Sequence, residues 1–351
     1  MTTDVMPTPR VENPLLPSTT EPRRPGPGPK KGPVIVLGHT GLLGQALARV
    51  AMLRGWRTIG ISRRTVPGFN LARLSDLAPW LDPLVPALVI NAAAMTDLAA
   101  SEANPRAAGE LHEQLPARLA EWGRTSGVPW VQISTDHYWN HTENVLHDEE
   151  VPVRPPNVYA RSRRAGEQRA LRDPRCLVLR THVVGFRGRS DAPTFVEGAL
   201  EALAQGVPFD ADTDEWASRI EVHQFARALF DLVEVGATGL VHVAARESVS
   251  TAGFIAELAR ASGHDARLLR RVPRPSTSSK PTRANAMGLD VTRAEALLGR
   301  PLPGIDEVIA AVAASPAMPR PAPPSLTLSL TLPPGEDPGR EKEGEPHAQL
   351  A

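Results

Sequence analysis

The run VIVLGHTGLLGQAL, residues 34–47, is the feature that most restricts how this chain can fold. Its apolar start predicts a short buried strand, and Gly38, Gly41 and Gly44 follow in the turn to an apolar-patterned helix. Glycine in such a turn lets the backbone approach a ligand, and the free N–H groups of the helix N-terminus favour a pyrophosphate. The spacing is GxxGxxG rather than GxGxxG, which alone is a weak signal. Because it comes directly after the first strand, it predicts dinucleotide binding rather than a plain glycine-rich turn.

Strands and helices alternate through the segments that follow. Strands are predicted at RTIGI, ALVINAAA, PWVQIS and CLVLRTHVVG, and helices at LLGQALARVAMLRG and AAGELHEQLPARLAEWGRTSG. Such alternation is typical of a parallel sheet with helices on both faces. The predicted fold class is therefore α/β, with a Rossmann-type doubly wound parallel sheet. From about residue 186 the alternation loosens, and helices at TFVEGALEALAQG, HQFARALFDLVEV and TAGFIAELARASG surround a strand at GLVHVA, which predicts a smaller α/β substrate lobe.

The composition along the chain predicts two domains between two tails. Residues 1–32 and 317–351 are rich in proline, glycine and polar residues, so we expect disordered tails there. A dinucleotide-binding domain is predicted at 33–185 plus about 218–244. A substrate-binding lobe is predicted at about 186–217 plus 245–316.

Charge and cysteine usage exclude several classes of protein. Acidic and basic residues number 39 each, which gives no reason to expect nucleic acid or a membrane surface as partner. The single cysteine, Cys176, lies in an apolar run and is predicted to be a buried, inert thiol. The sequence shows no signal peptide and no apolar run of about 20 residues, so the expectation is a soluble cytoplasmic protein. A homodimer remains open.

The end of the second predicted strand indicates which dinucleotide would bind. An acidic residue about 20 positions after the glycines would bind the ribose hydroxyl of NAD, and no acidic residue occurs between Val34 and Ser75. The strand ends instead in Ser62-Arg63-Arg64, where two guanidinium groups could bind a 2′-phosphate. The alternative is a solvated arginine pair. NADPH is the predicted cofactor, and NADH is the second choice.

A tyrosine and an arginine four residues apart occur in NVYARSRRAGE, residues 157–167. A helix would place Tyr159 and Arg163 on one face, because residues four apart are neighbours on a helix surface. A phenol beside a fixed cation is suited to donate and accept a proton. The pair is therefore a candidate for acid catalysis.

Together these segments resemble the dTDP-4-dehydrorhamnose reductase family of the extended short-chain dehydrogenase/reductase superfamily. The resemblance runs from about Pro33 to Val312. It rests on the glycine turn and on VINAAAMT, ISTD, DEEVPVRPPNVYARSRRAGE, LVLRTHVVG, GLVHVAA and LDVTRAEALLGRPLP in this order. It implies an NAD(P)H-dependent reductase of the C4 ketone of a nucleotide-linked 4-keto-6-deoxysugar, acting in dTDP-rhamnose or deoxysugar biosynthesis.

The resemblance also implies roles for individual residues. Tyr159 matches the family's acid, Thr135 matches the hydroxyl that binds the ketone, and Asp136 matches a position with a less defined orienting role. Arg163 stands where the family has a lysine that hydrogen-bonds the nicotinamide ribose. The residues expected to contact the cofactor are Gly38, His39, Thr40, Gly41, Leu42, Leu43, Gly44, Ser62, Arg63, Arg64, Asn70, Leu71, Ala92, Ala93, Thr96, Tyr159 and Arg163.

Two positions depart from the family pattern. Arg163 keeps the charge of the lysine but not its shape, because a planar guanidinium is larger than a compact ammonium. His112 replaces a common asparagine four residues before Pro116, where the asparagine supports the active-site helix. These departures keep open an alternative function, a non-catalytic NAD(P)- or sugar-nucleotide-binding regulatory protein, for which a subunit of methionine adenosyltransferase is a precedent in the family.

Two other readings are weaker. His137, His141 and His147 lie close together in the sequence, but their spacing is irregular and no cysteine accompanies them, so loop histidines are predicted and no metal site. A sugar-nucleotide dehydratase of the same superfamily would need a glutamate directly after Asp136. This chain has His137 there, so the carboxylate for elimination is missing.

Overall fold

The computed structural model describes residues 32–63, 65, 77–141, 144–188, 193–273 and 281–315. The two predicted tails therefore lie outside the described residues, except Gly32. Within these ranges, no helix is both long enough and apolar enough to cross a membrane.

Fourteen strands and eleven α-helices are assigned among the described residues. The strands are β1 Val34–Leu37, β2 Thr58–Ile61, β3 Leu88–Asn91, β4 Trp130–Ile133, β5 Leu146–His147, β6 Cys176–Arg180, β7 Val183–Val184, β8 Phe209–Asp212, β9 Trp216–Ala217, β10 Ile220–Glu221, β11 Gly239–His242, β12 Val249–Ser250, β13 Leu269–Val272 and β14 Ala286–Leu289. The helices are α1 Leu42–Leu53, α2 Ala78–Leu81, α3 Leu98–Ala103, α4 Pro105–Gly109, α5 Leu115–Ser126, α6 Val158–Ala170, α7 Phe195–Ala204, α8 Val222–Glu234, α9 Thr251–Ala261, α10 Thr292–Leu298 and α11 Ile305–Ala314.

Six of the strands form one parallel sheet in the order β11-β6-β4-β3-β1-β2. The chain leaves β1 toward β2 on one side and later adds β3 on the other, so the strand order reverses at β1. Ligands of open parallel sheets bind in the crevice that such a reversal creates at the carboxyl ends of the strands. The predicted α/β class and Rossmann-type sheet are confirmed.

Alternating side chains of the central strands build two hydrophobic clusters, one on each face of the sheet. Val34 and Val36 of β1 pack in the cluster that contains buried residues of α1 and α8. Ile35 and Leu37 pack in the opposite cluster, together with buried residues of α5. Because successive strand residues point to opposite faces, a strand buried on both sides reads as a continuous apolar run. This is why the apolar run VIVL indicated a buried strand from the sequence alone. Cys176 is buried in the second cluster as expected, and burial raises the pKa of its thiol.

The chain outside the large sheet forms smaller sheets and a third cluster. One four-stranded sheet has the order β12-β9-β14-β5, and β13 pairs with β8. The third cluster joins buried residues of α7, α9 and α11. These elements add no strand to the six-stranded sheet, but β14 pairs with β5 of the first predicted domain. The residue boundaries of the two domains stay a prediction.

Two predicted elements are interrupted. The predicted helix over residues 107–127 contains a π-helical turn at Glu110–Gln114. Pro116 explains it, since proline has no N–H to bond the carbonyl of His112 four residues earlier. The predicted strand CLVLRTHVVG ends at Arg180, and its last residues form β7, which pairs with β10.

Candidate active site

A cavity of about 1160 Å³ opens at the carboxyl ends of the parallel strands. Its walls come from the segments that follow β1, β2, β3, β4 and β6, from helix α6, and from residues 187, 193–196, 215, 283 and 287. Most of the residues predicted to bind cofactor or to act in catalysis line it. They are Gly38, Thr40, Gly41, Leu42, Leu43, Gly44, Ser62, Arg63, Ala92, Ala93, Thr96, Thr135, Asp136, Tyr159 and Arg163.

The glycine turn leaves room for a ligand at one position and packs tightly at two others. Gly38 has φ +81°, and a Cβ there would come within 2.8 Å of the Ala93 backbone. A Cβ on Gly44 would come within 2.3 Å of the Gly38 carbonyl oxygen. A Cβ on Gly41, in contrast, would meet no protein atom closer than 3.4 Å. The turn therefore holds β1, α1 and the segment after β3 together while leaving open the space in front of Gly41.

Asn91 shapes the segment that follows β3. Its side-chain amide donates to Gln132 Oε1 (2.8 Å), and its Oδ1 accepts from the backbone N–H of Ala93 (3.2 Å). The buried amide thus turns the chain at Ala93 toward the cavity. This places the predicted contact residues Ala92, Ala93 and Thr96 in the cavity wall.

The end of β2 contributes part of the predicted phosphate site. Ser62 and Arg63 line the cavity, and Arg63 is exposed. His39, after Gly38, lies against β2, since a Cβ on Gly60 would come within 2.3 Å of its imidazole ring. Arg64, Asn70 and Leu71 lie outside the described residues, so their predicted contacts are not tested.

Tyr159 is carried by α6, whose start is fixed by a side-chain cap. Asn157 Oδ1 accepts from the backbone N–H of Ala160 (2.8 Å), which satisfies one free N–H group of the first turn. The other side of the helix packs on the π-helical turn, because a Cβ on Gly166 would come within 1.9 Å of the His112 carbonyl oxygen. Tyr159 is only 9% exposed, and it lies in the wall of the same cavity as the glycine turn.

Arg163 lies one turn along the same face of α6, as the sequence predicted. Its Cζ is 6.0 Å from the centre of the Tyr159 ring, and its Nη2 donates to the carbonyl oxygen of Ile133 (2.5 Å). The side chain is buried, and its Nε has no hydrogen-bond partner among the described residues. No described carboxylate forms an ion pair with it. A buried guanidinium with so few hydrogen-bond and ion-pair partners indicates that a bound ligand supplies the missing ones.

Thr135 and Asp136 follow β4 and face the same space. Thr135 Oγ1 accepts from the backbone N–H of His137 (3.2 Å), and its distance to Asp136 Oδ1 is a long 3.5 Å. Thr135 Oγ1 donates to Asp136 Oδ1 only over this long distance, so a closer ligand oxygen would compete for the hydroxyl proton. Asp136 Oδ2 lies 2.7 Å from Nδ1 of His182, a cavity residue that the sequence reasoning did not select.

His112 replaces the family asparagine but is firmly held. Its Nε2 accepts from the backbone N–H of Met95 (2.9 Å), so the neutral ring carries its proton on Nδ1, which bonds Ser162 Oγ (2.8 Å). Burial, together with the charge of Arg163, lowers the pKa of His112 to about 3. The neutral imidazole thus ties the segment after β3 to α6, next to the Tyr159 ring.

His137 lies in the loop after β4, as predicted, and it is also a residue of the cavity wall, which was not predicted. It is buried, and its ring is 6.0 Å from the Tyr159 ring, centre to centre. The other two histidines form a separate contact, with His141 Nε2 and His147 Nε2 3.0 Å apart. Among the described residues, no group of three or more His, Cys, Asp or Glu side chains could hold a metal ion. The signal for His137 was its position directly after Thr135-Asp136.

A buried ionic network connects elements that carry residues of the cavity wall. Glu167 of α6 forms two hydrogen bonds with Arg180 at the end of β6, both 2.9 Å, and accepts from Ser134 Oγ (2.6 Å) and the Tyr138 hydroxyl (2.8 Å). Burial raises the pKa of Glu167, but Arg180 and the hydrogen bonds outweigh it and lower the pKa to about 2. The network joins α6, β6 and the segment after β4, three elements that position site residues.

The sequence model of one protein family, described as the RmlD substrate binding domain, matches residues 32–317 of this chain. The chain belongs to this family. The predicted resemblance is thereby confirmed.

Relatives of this RmlD-family chain include reductases and a subunit of methionine adenosyltransferase 2. A probable low-salt glycan biosynthesis reductase of Haloferax volcanii is 28% identical over 291 residues, which cover 80% of this chain and 97% of that protein. Methionine adenosyltransferase 2 subunit beta of Mus musculus is 27% identical over 198 residues, 54% of this chain and 58% of that protein. A dTDP-4-dehydrorhamnose reductase from Bacillus anthracis, solved in complex with NADP, has the same fold, with a TM-score of 0.70 and 19% identity over 81% of this chain and 98% of that one. The oxidoreductase prediction is confirmed at the level of the family.

Proposed function

We propose that this chain is an NADPH-dependent reductase of the C4 ketone of a nucleotide-linked 4-keto-6-deoxysugar. One observation carries the proposal: Tyr159, Thr135 and Arg163 lie in the same cavity as the open glycine turn. A proton donor, a hydroxyl donor and a dinucleotide cradle at one strand edge are what ketone reduction requires.

The residues of the cavity fit a bound dinucleotide. The space in front of Gly41 is open, and the exposed Arg63 lines the same cavity, so its guanidinium could bind a 2′-phosphate. Two buried polar atoms of the cavity wall, Arg163 Nε and Thr181 Oγ1, lack a partner among the described residues. Buried polar groups are rarely left unsatisfied, so these atoms favour a polar ligand such as the nicotinamide ribose. When bound, the reduced nicotinamide would supply the hydride.

The protein groups would then handle the charge that develops on the ketone oxygen. Thr135 would donate its hydroxyl proton in a hydrogen bond to that oxygen, since its own oxygen already accepts from the His137 N–H. Tyr159 would deliver the proton. Arg163, anchored at Ile133, would keep a positive charge beside the phenol.

The way Arg163 is held supports a second candidate function, that of a binding protein without turnover. Nη2 of Arg163 is bonded to a backbone carbonyl, which holds the cation as a structural group would be held. This second function is a cofactor- or sugar-nucleotide-binding protein that has no turnover, and one relative, methionine adenosyltransferase 2 subunit beta, is named as a subunit rather than as a reductase. Retained Tyr159 and Thr135 favour the reductase.

Turnover by the unmodified protein and by Tyr159→Phe decides between the two functions. NADPH oxidation is measured with dTDP-4-keto-6-deoxysugars, at substrate concentrations high enough to show slow turnover. Loss of a general acid lowers kcat by about 10²–10⁴-fold, while NADPH affinity should change little. NADPH binding and thermal unfolding of Tyr159→Phe are the controls for its fold. Turnover that does not depend on Tyr159, or no turnover with any of these sugars, would contradict the reductase.

A further inference from the structure

His137 contacts both residues proposed to hold the ketone oxygen. Its backbone N–H bonds Thr135 Oγ1 (3.2 Å), and its ring contacts the Tyr159 ring edge-on. The residue is 8% exposed and forms part of the cavity wall. A ligand whose ketone oxygen reaches Thr135 and Tyr159 must therefore place a neighbouring part of the molecule beside His137.

The hydrogen bonds of His137 fix which ring nitrogen carries the proton. Nε2 lies 3.1 Å from the backbone N–H of Ala284, and a backbone N–H can only donate. Nε2 also faces the side-chain nitrogen of Asn157 at 3.0 Å. The orientation of that amide is settled, because its oxygen accepts from the backbone N–H of Ala160. With two donors on Nε2, the neutral ring must carry its proton on Nδ1.

The surroundings also keep the ring neutral. Burial lowers the pKa of His137 to about 4, although the nearby carboxylate of Asp136 opposes the shift. Protonating Nε2 would set a hydrogen against the donors of Ala284 and Asn157. Nδ1 has no hydrogen-bond partner among the residues that the structure describes. The ring therefore offers one N–H donor and no proton that it could give up near neutral pH.

We propose that His137 is a specificity-determining residue, whose Nδ1–H donates a hydrogen bond to the hydroxyl on the sugar carbon next to the ketone, C3. This rests on the proposed function. A neutral imidazole cannot replace Tyr159 as the acid, so its contribution is recognition. A substrate without this hydroxyl would leave the Nδ1–H without that partner, and a site built to bind a hydroxyl rejects the deoxy analogue.

The test compares a dTDP-4-keto-6-deoxysugar with its 3-deoxy analogue. For the unmodified protein, kcat/KM for NADPH oxidation should fall about 10- to 100-fold when the hydroxyl is absent. In His137→Phe the two substrates should react equally well, because the donor has been removed. Equal kcat/KM values for both substrates with the unmodified protein would overturn the proposal.

A second measurement needs no variant. In ¹⁵N spectra of the unmodified protein, His137 should show an unprotonated Nε2 and a protonated Nδ1, unchanged from pH 5.5 to 8. A protonated Nε2, or titration within this range, would overturn the assignment. If no 4-ketosugar is turned over, the reductase proposal has failed, and equilibrium binding of the same two sugar nucleotides tests His137 alone. Equal affinities would then refute it, and a 10-fold or larger preference for the hydroxylated sugar would support it.

Discussion

Nη2 of Arg163 donates a hydrogen bond to the carbonyl oxygen of Ile133, 2.5 Å away, and so joins the middle of α6 to the end of β4. The cation is thereby fixed beside the Tyr159 ring by a bond to the backbone of another element. A lysine at the same position would present one compact, rotatable ammonium instead of a planar fork. Arginine in place of the family lysine therefore changes the direction of the N–H donors at position 163 and keeps the positive charge.

Arg163→Lys is expected to raise kcat without greatly changing sugar-nucleotide affinity. The charge would be kept, and the smaller ammonium could turn toward the ligand, so the gain would appear in the transition state. An increase of about tenfold corresponds to about 1.4 kcal/mol. Arg161→Lys, at an exposed position of the same helix, is the matched control and should leave kcat unchanged. A slower Arg163→Lys enzyme would show instead that the pocket is adapted to the guanidinium.

Cofactor preference should depend on the arginines after β2. NADPH is expected to bind at least about tenfold more tightly than NADH, because an arginine–phosphate contact contributes on the order of 1.5–3 kcal/mol. Replacing Arg63 and Arg64 by alanine should remove the difference. Titration of the unmodified and variant proteins with both cofactors measures it. Equal affinities in the unmodified protein would count against the 2′-phosphate site.

Glu167→Gln should lower the free energy of unfolding by about 3–5 kcal/mol, because it leaves the buried Arg180 without its anion. The partly exposed pair of Glu113 and Arg169 is the matched control. Glu113→Gln should change stability by less than about 1 kcal/mol. Urea unfolding at pH 7 compares the two variants. Since the folded pKa of Glu167 is lowered to about 2, its stabilising effect is complete above pH 4.5 and is lost as the pH falls toward 2.

Four buried histidines should make the protein sensitive to mild acid. Burial is the main cause that lowers the pKa of His112 and His242 to about 3, and of His137 and His147 to about 4. Below pH 6.5 the unfolded chain binds protons that the folded chain does not, so stability falls as the pH falls toward 4. Each histidine contributes a slope of up to about 1.4 kcal/mol per pH unit. Unfolding free energies measured between pH 5 and 8 should show this loss, and a flat profile would contradict it.

Glu149 should have the opposite effect. Burial raises the pKa of Glu149 to about 7. A hydrogen bond from the backbone N–H of His242 lowers this pKa but does not outweigh burial. The folded chain then holds this proton more tightly than the unfolded chain, so Glu149 contributes a loss of stability as the pH rises from 4.5 to 7. Glu149→Gln should stabilise the protein by on the order of 2 kcal/mol at pH 8 and by little at pH 5. Thermal unfolding at the two pH values measures the difference.

The sequence predicted those parts of the fold whose signals are local. VIVL is buried on both faces and reads as a continuous apolar run, and the glycines after it are spaced for a turn. The proximity of Tyr159 and Arg163 also follows from helix geometry alone. The π-helical turn was missed because the effect of Pro116 depends on the carbonyl four residues earlier, which a helical pattern does not reveal.

The partners of the site residues depended on contacts distant in sequence. The bond from Arg163 to Ile133 spans 30 residues, and that from Asp136 to His182 spans 46. His182 could have been selected by the rule that residues just after parallel strands face the ligand, since it follows β6. His137 lies in a loop as predicted, but its place in the cavity wall was missed because Ala284, whose N–H bonds its ring, lies 147 residues away.

Asn157 serves two parts of the site with the two ends of one amide. Its oxygen caps the helix that carries Tyr159, and its nitrogen fixes the proton of His137. Aspartate would keep the cap but would reverse the donor at the other end, and serine or threonine could cap but not reach both partners in the same way. A substitution at residue 157 that changed the sugar preference would therefore also disturb the start of α6, the helix that carries Tyr159. Divergence of specificity in this fold is freer at His137 itself, where a new side chain leaves the helix start intact.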